Sequence, residues 1–99
     1  MNSISSISQS GLQAAQTALG AAAHNIANLS TGRFHRQLAT PTAEQGGGVH
    51  VSLSQAPSEG AALETDVLGL LTAKNQFLAN LVVFKTSDEM TQALLDVRA

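Results

Sequence analysis

Residues 10–29 read SGLQAAQTALGAAAHNIANL, and this stretch decides the fold. Leu12, Ala15, Leu19, Ala22, Ile26 and Leu29 recur at spacings of 3, 4, 3, 4 and 3. Alternation of three and four keeps all six on one side of a helix, as a heptad-like stripe. Gln13, Gln16, Thr17, Gly20, His24 and Asn28 fall away from it. No proline interrupts residues 4–30, and Ala and Gln are good helix formers. The pattern predicts a helix over 4–30. It ends within 28–32, where Asn, Ser, Thr and Gly stop helices.

The other end of the chain repeats the theme. Residues 61–97 hold no proline and one glycine. Leu63, Val67, Leu70, Phe77, Leu81 and Phe84 form one stripe, interrupted at Lys74. From Phe84 the stripe passes to Ser87, Met90, Leu94 and Val97. A continuous helix over 61–97 would be about 55 Å long, a length typical of coiled coils and helical assemblies. Ser58 is a candidate cap, and Glu59 and Glu64 suit the positive end of the helix dipole.

Between them, residues 33–58 carry strong breakers at Thr40-Pro41-Thr42 and Gly46-Gly47-Gly48. Val49, Val51 and Leu53 alternate with His50, Ser52 and Ser54, which predicts a half-buried strand. Phe34, Arg36 and Leu38 against His35, Gln37 and Ala39 are the candidate partner strand. An isolated hairpin is marginal in water, so this one must lean on the helices or on another subunit. The expected fold is mainly α: two long antiparallel terminal helices, coiled-coil-like, joined by a short β-hairpin. Residues 1–99 make one domain.

Composition supports thin helix pairing over a compact globule. Hydrophobic residues make up 43%, with three Phe and no Trp or Tyr. A net charge of −2 and five scattered basic residues give no nucleic-acid footprint. Arg33-Phe34-His35-Arg36 reads as a solvated strand or loop. There are no cysteines, so disulfides and thiolate metal sites are excluded. No uninterrupted apolar run approaches the roughly 20 residues that span a bilayer. The Ser-rich start lacks the basic and apolar regions of a cleaved secretory signal.

Catalytic chemistry finds no constellation. His24, His35 and His50 have no i, i+4 partner for a metal. Asp88 and Glu89 are adjacent and point in different directions on a helix. No nucleophile motif surrounds the serines, and the glycine tract lacks the Lys-Ser/Thr of a phosphate loop. The sequence predicts no enzyme, no cofactor and no metal.

Specific motifs sit on both helices. Ser10-Gly11-Leu12 is followed by Asn25-Ile26-Ala27-Asn28, then Thr31, Phe34 and Arg36. Near the other end stand Phe77 and Asn80, then Thr86-Ser87-Asp88-Glu89-Met90 and Leu94. This arrangement resembles the flagellar axial family of rod, hook and hook-associated proteins. That family has Ser-Gly-Leu, Asn-Ile-Ala-Asn and Thr-x-Gly-Phe/Tyr with a basic residue at one end, and a Thr-Ala-Asp-Glu-Met box at the other. Asp66 falls where the family usually has Glu. The short middle, and Gly48-Val49-His50-Val51, are most like a small proximal rod protein. The chain departs from the pattern at Thr31-Gly32-Arg33-Phe34, where Gly comes one place early, and at Lys74-Asn75, which replaces Gln-Arg.

The resemblance implies a structural subunit of the bacterial flagellar basal-body rod, in the periplasm, self-assembling through its terminal helices. Its implied partners are itself, other rod and hook axial proteins, and the flagellar type III export apparatus. It implies neither nucleic acid nor direct membrane insertion, and export without a cleaved signal peptide. The motif residues named above are then its assembly residues. The competing expectation is a freestanding helical adaptor, or an export-associated protein, that shares the axial helices.

Overall fold

The structure, a computed structural model, describes residues 4–98. Helix α1 spans Ile4–Ala27, strand β1 Gln37–Ala43, strand β2 Val49–Gln55, and helix α2 Leu63–Arg98. The expected fold class is the observed one: two long antiparallel helices with a short hairpin between them. The molecule is a blade of 62 × 24 × 14 Å.

The helices meet along a seam of small residues. Ala15, Ala21, Ala22 and Ala73 are its buried apolar core, with Ser8, Asn25 and Asp66 buried among them. Among the described residues no large side chain is fully buried. On α1 the expected stripe is observed at Ala15 and Ala22, with Leu12, Leu19 and Ile26 half-buried, while Leu29 lies past the helix and is exposed. On α2 the expected stripe is observed at Leu70, Phe77, Leu81 and Phe84 but not in the first turns. Leu63 and Val67 are exposed, and the seam runs Asp66, Leu70, Ala73, Phe77, Leu81 and Phe84. An Asp with its own ion pair takes the place that an apolar reading gives to Leu63 and Val67.

α1 ends at Ala27 rather than within 28–32, and three further boundaries differ from expectation. α2 starts at Leu63 rather than 61. Ser58 therefore lies ahead of the helix and does not cap it, and Gly60 instead donates its N–H to the Phe34 carbonyl at 3.0 Å. β1 starts at Gln37, so Phe34, His35 and Arg36 precede the strand. Thr40-Pro41-Thr42 lies inside β1 rather than ending it. Pro41 is tolerated because of register. Pairing of Pro41 with Val51, and the flanking bonds Glu44 N–H to Gly48 O and Ala56 N–H to Arg36 O, put Pro41 at a non-hydrogen-bonded pair. The turn uses Gly46, Gly47 and Gly48, all at positive φ, which glycine adopts without steric cost.

The hairpin packs on α1, not on α2. By length and composition α2 would suffice to cross a membrane. A count of uninterrupted apolar residues misses this because Lys74, Asn75, Gln76 and Asn80 lie within the helix. Most of its apolar side chains are exposed rather than buried in the seam.

Candidate assembly site

At one end of the blade a polar clasp joins three elements. Asn25, in the last turn of α1, donates its amide to the Gln37 carbonyl at 2.9 Å and accepts the Gln37 N–H at 2.7 Å. The same amide donates to Asp66 Oδ1 at 3.2 Å. Arg36 grips Asp66 with two donors, Nε to Oδ2 at 3.2 Å and Nη2 to Oδ1. Asn25 is 2% exposed and Asp66 4%. A buried carboxylate this far from water requires such pairing. The hydrogen bonds from Arg36 hold the Asp66 carboxyl below its ordinary pKa; burial opposes them and the Asn25 amide adds to the lowering. In return, Asp66 raises the pKa of Arg36 against the opposing effect of burial.

The chain between α1 and β1 is tied just as locally. Asn28 donates its side-chain amide to the His24 carbonyl at 2.9 Å and accepts the Thr31 hydroxyl at 3.1 Å. It thereby caps the end of α1. Phe34 is half-buried, with its ring 5.5 Å from that of His24. His35 Nδ1 lies 2.8 Å from the Ala56 carbonyl. Arg33 has φ 57, the left-handed region. The positive φ thus falls on the arginine that stands where the resembled pattern has Gly, not on Gly32.

Mid-blade, Ser10 and Gly11 do different work. The Ser10 hydroxyl donates to the Ile7 carbonyl at 2.7 Å and accepts the Val49 N–H at 3.1 Å, fastening β2 to α1. Gly11 lies under the Asn80 carboxamide of α2. Farther on, Ser5 and Ser87 share a hydroxyl hydrogen bond of 3.1 Å.

The structure therefore gathers Ser10, Gly11, Asn25, Asn28, Thr31, Phe34 and Asn80 into internal ties. Leu12, Ile26 and Phe77 are half-buried, and Ala27 is exposed at the last position of α1. It does not gather the C-terminal box. Thr86, Asp88, Glu89, Met90 and Leu94 are all exposed, and those from Asp88 onward lie past the level of the Ser5–Ser87 contact. Ile4, Val83, Thr86, Ser87, Met90, Thr91 and Leu94 line a groove of about 370 Å³ there, predominantly apolar.

Residues 6–35 match the family model described as flagella basal body rod protein. This stretch is similar to the flagellar rod family. Comparison with curated proteins finds none that matches. The rod-family match covers most of α1, the Asn28 cap and the turn through Phe34. Within the matched segment, Ser10 reaches out to β2 and Asn25 to β1 and α2.

Two members of the clasp escape a reading by stripes. Arg36 looks like one of a short basic run in a loop, and Asp66 interrupts an apolar pattern. The signal was the conjunction: one acid at a seam position of α2 and one base beside the first strand.

Proposed function

We propose that the chain is a self-assembling axial subunit of the flagellar rod, folded as a single domain and joined to neighbours through its terminal helices. The observation that carries this is the apolar surface of α2 past the end of the internal seam. Met90 is 63% exposed, Leu94 67% and Leu95 61%. Large apolar patches of this kind on a soluble chain mark interaction sites. The neighbours are further copies and other rod or hook axial proteins. The chain reaches the periplasmic rod through the type III export apparatus, without a cleaved signal peptide and without inserting in the membrane.

The geometry supports a division of labour. The motifs of 10–36 set the angle between helix pair and hairpin, and leave Met90 and Leu94 free for the next subunit. The reading is structural, not enzymatic. Its test is deletion of the gene, with electron microscopy of purified basal bodies and a swimming assay. Truncated or absent rods and non-motile cells are expected. Intact rods with normal swimming would overturn the reading and leave the freestanding adaptor.

A further inference from the structure

The hairpin and α2 both pack on α1 but not on each other. A groove runs between them. Its floor is Ile7, Gly11, Ala14, Ala18 and Ala21, spaced 4, 3, 4 and 3 along α1. One wall is β1, through Leu38, Ala39 and Pro41; the other is α2, through Gly69, Gln76 and Asn80. Two hollows of about 440 and 230 Å³ lie along it. The clasp of Arg36 and Asp66 borders one end. At the other end the α2 wall continues onto the overhang, because Gly69, Gln76, Val83 and Met90 repeat every seven residues.

A second apolar stripe lies on another side of α2. Val67, Leu71, Leu78 and Val82 are each at least 38% exposed. At 100° per residue this ridge points more than a right angle away from both the seam and the groove wall. The molecule thus carries a groove floored by small residues and, elsewhere, a ridge of large ones.

The exposed area leaves room for both to be occupied. A compact monomer of 10.2 kDa exposes about 5,300 Å², whereas this chain exposes 6931 Å². The excess is close to two patches of about 800 Å², the share of each partner in a stable interface. Two unlike patches that fit each other make a head-to-tail contact, which propagates rather than closing as a dimer.

We propose that the α2 ridge of one copy, Val67–Leu71–Leu78–Val82, seats in the Ala14–Ala18–Ala21 groove of a second copy. This deepens the self-assembly reading and rests on it. Small residues on the floor let a helix approach closely, and Leu71 and Leu78 supply large side chains to fill it.

The chain has no cysteine of its own, so engineered thiols report cleanly. Full-length Ala18→Cys and Leu78→Cys proteins, distinguished by a mass tag, are mixed under mild oxidant. The mixed disulfide dimer is expected at least tenfold above either homodimer. In parallel, Ala18→Trp fills the groove and Leu78→Asp charges the ridge. Each alone should sediment as monomer with unchanged circular dichroism, and an equal mixture should give dimers and nothing larger. Equal yields of all three disulfides, or blocked variants that assemble like the unmodified chain, would overturn the proposal. Loss of this pairing in a chain that still assembles leaves the rod reading standing. Intact rods in the deletion strain would remove that reading without altering the disulfide result.

Discussion

Gly11 of α1 lies so close to Asn80 of α2 that a Cβ on it would stand 2.5 Å from the Asn80 Oδ1. The Asn80 amide is at the same time held by the Gln76 carbonyl at 2.9 Å. The pair sets how closely the helices approach at mid-blade. Gly11→Ala gains about 1 kcal/mol of helix propensity but overpacks the site by about 1–3 kcal/mol. The substitution is therefore expected to lower the melting temperature. In an Asn80→Ala background the obstruction is gone, and the same substitution should stabilise by about 1 kcal/mol. Thermal melts of the four proteins of this cycle decide it; an identical effect of Gly11→Ala in both backgrounds would refute the contact.

The clasp predicts acid sensitivity. Asp66 has its folded pKa lowered, first by the hydrogen bonds of Arg36. Its contribution is present above the unfolded carboxylate pKa and is lost as pH falls through the lower folded value. Stability should thus fall below about pH 4. Asp66→Asn should be less stable than the unmodified chain at pH 7, by about 2 kcal/mol, because Arg36 loses its charge partner. The gap should narrow as pH drops toward 2. Urea titrations at pH 7, 4 and 2.5 measure it, and a gap independent of pH would assign the stability to other groups.

Arg33 occupies the left-handed region at φ 57, where a Cβ costs roughly 1–2 kcal/mol. Gly32, its neighbour, has open space around it and no positive φ. Arg33→Gly is expected to raise stability by about 1 kcal/mol, with the higher entropy of glycine in the unfolded chain setting that limit. Gly32→Ala should be neutral or mildly stabilising. Paired melts of the two variants check both signs.

What was legible in the sequence was periodic. The α1 stripe at Ala15 and Ala22, the β2 alternation at Val49 and Val51, and the antiparallel pairing follow from spacing alone. Pro41 was misread because a breaker rule ignores register: at a non-hydrogen-bonded pair the missing N–H costs nothing. The α2 seam was misplaced only in its first turns, at Leu63 and Val67, because apolar residues cover more than one side of that helix. A stripe drawn through Leu63 and Val67 is as regular as the true one through Asp66 and Ala73. Only the partner, α1, selects between them, and it selects the side carrying the ion pair with Arg36. The clasp itself joins residues 41 positions apart, Asn25 and Asp66, which no local pattern encodes.

Phe84 and Leu94 separate folding from assembly. Phe84 is half-buried on the seam, opposite the first turns of α1, while Leu94 is 67% exposed and lines the groove beyond them. Truncating a fully buried phenylalanine costs about 3–5 kcal/mol, so Phe84→Ala at half burial is expected to cost about 2 kcal/mol. Leu94→Asp removes no internal contact of the seam and should change stability by less than about 0.5 kcal/mol. In the assembly, however, it would bury an unpaired carboxylate at a subunit boundary, which weakens association there. The expected outcome is a Leu94→Asp chain that melts like the unmodified protein, assembles less than it in sedimentation and leaves cells non-motile. Phe84→Ala should melt earlier and retain some assembly at low temperature. Normal swimming by the Leu94→Asp strain would remove this surface from the rod interface, and with it the physical support for assembly through the end of α2.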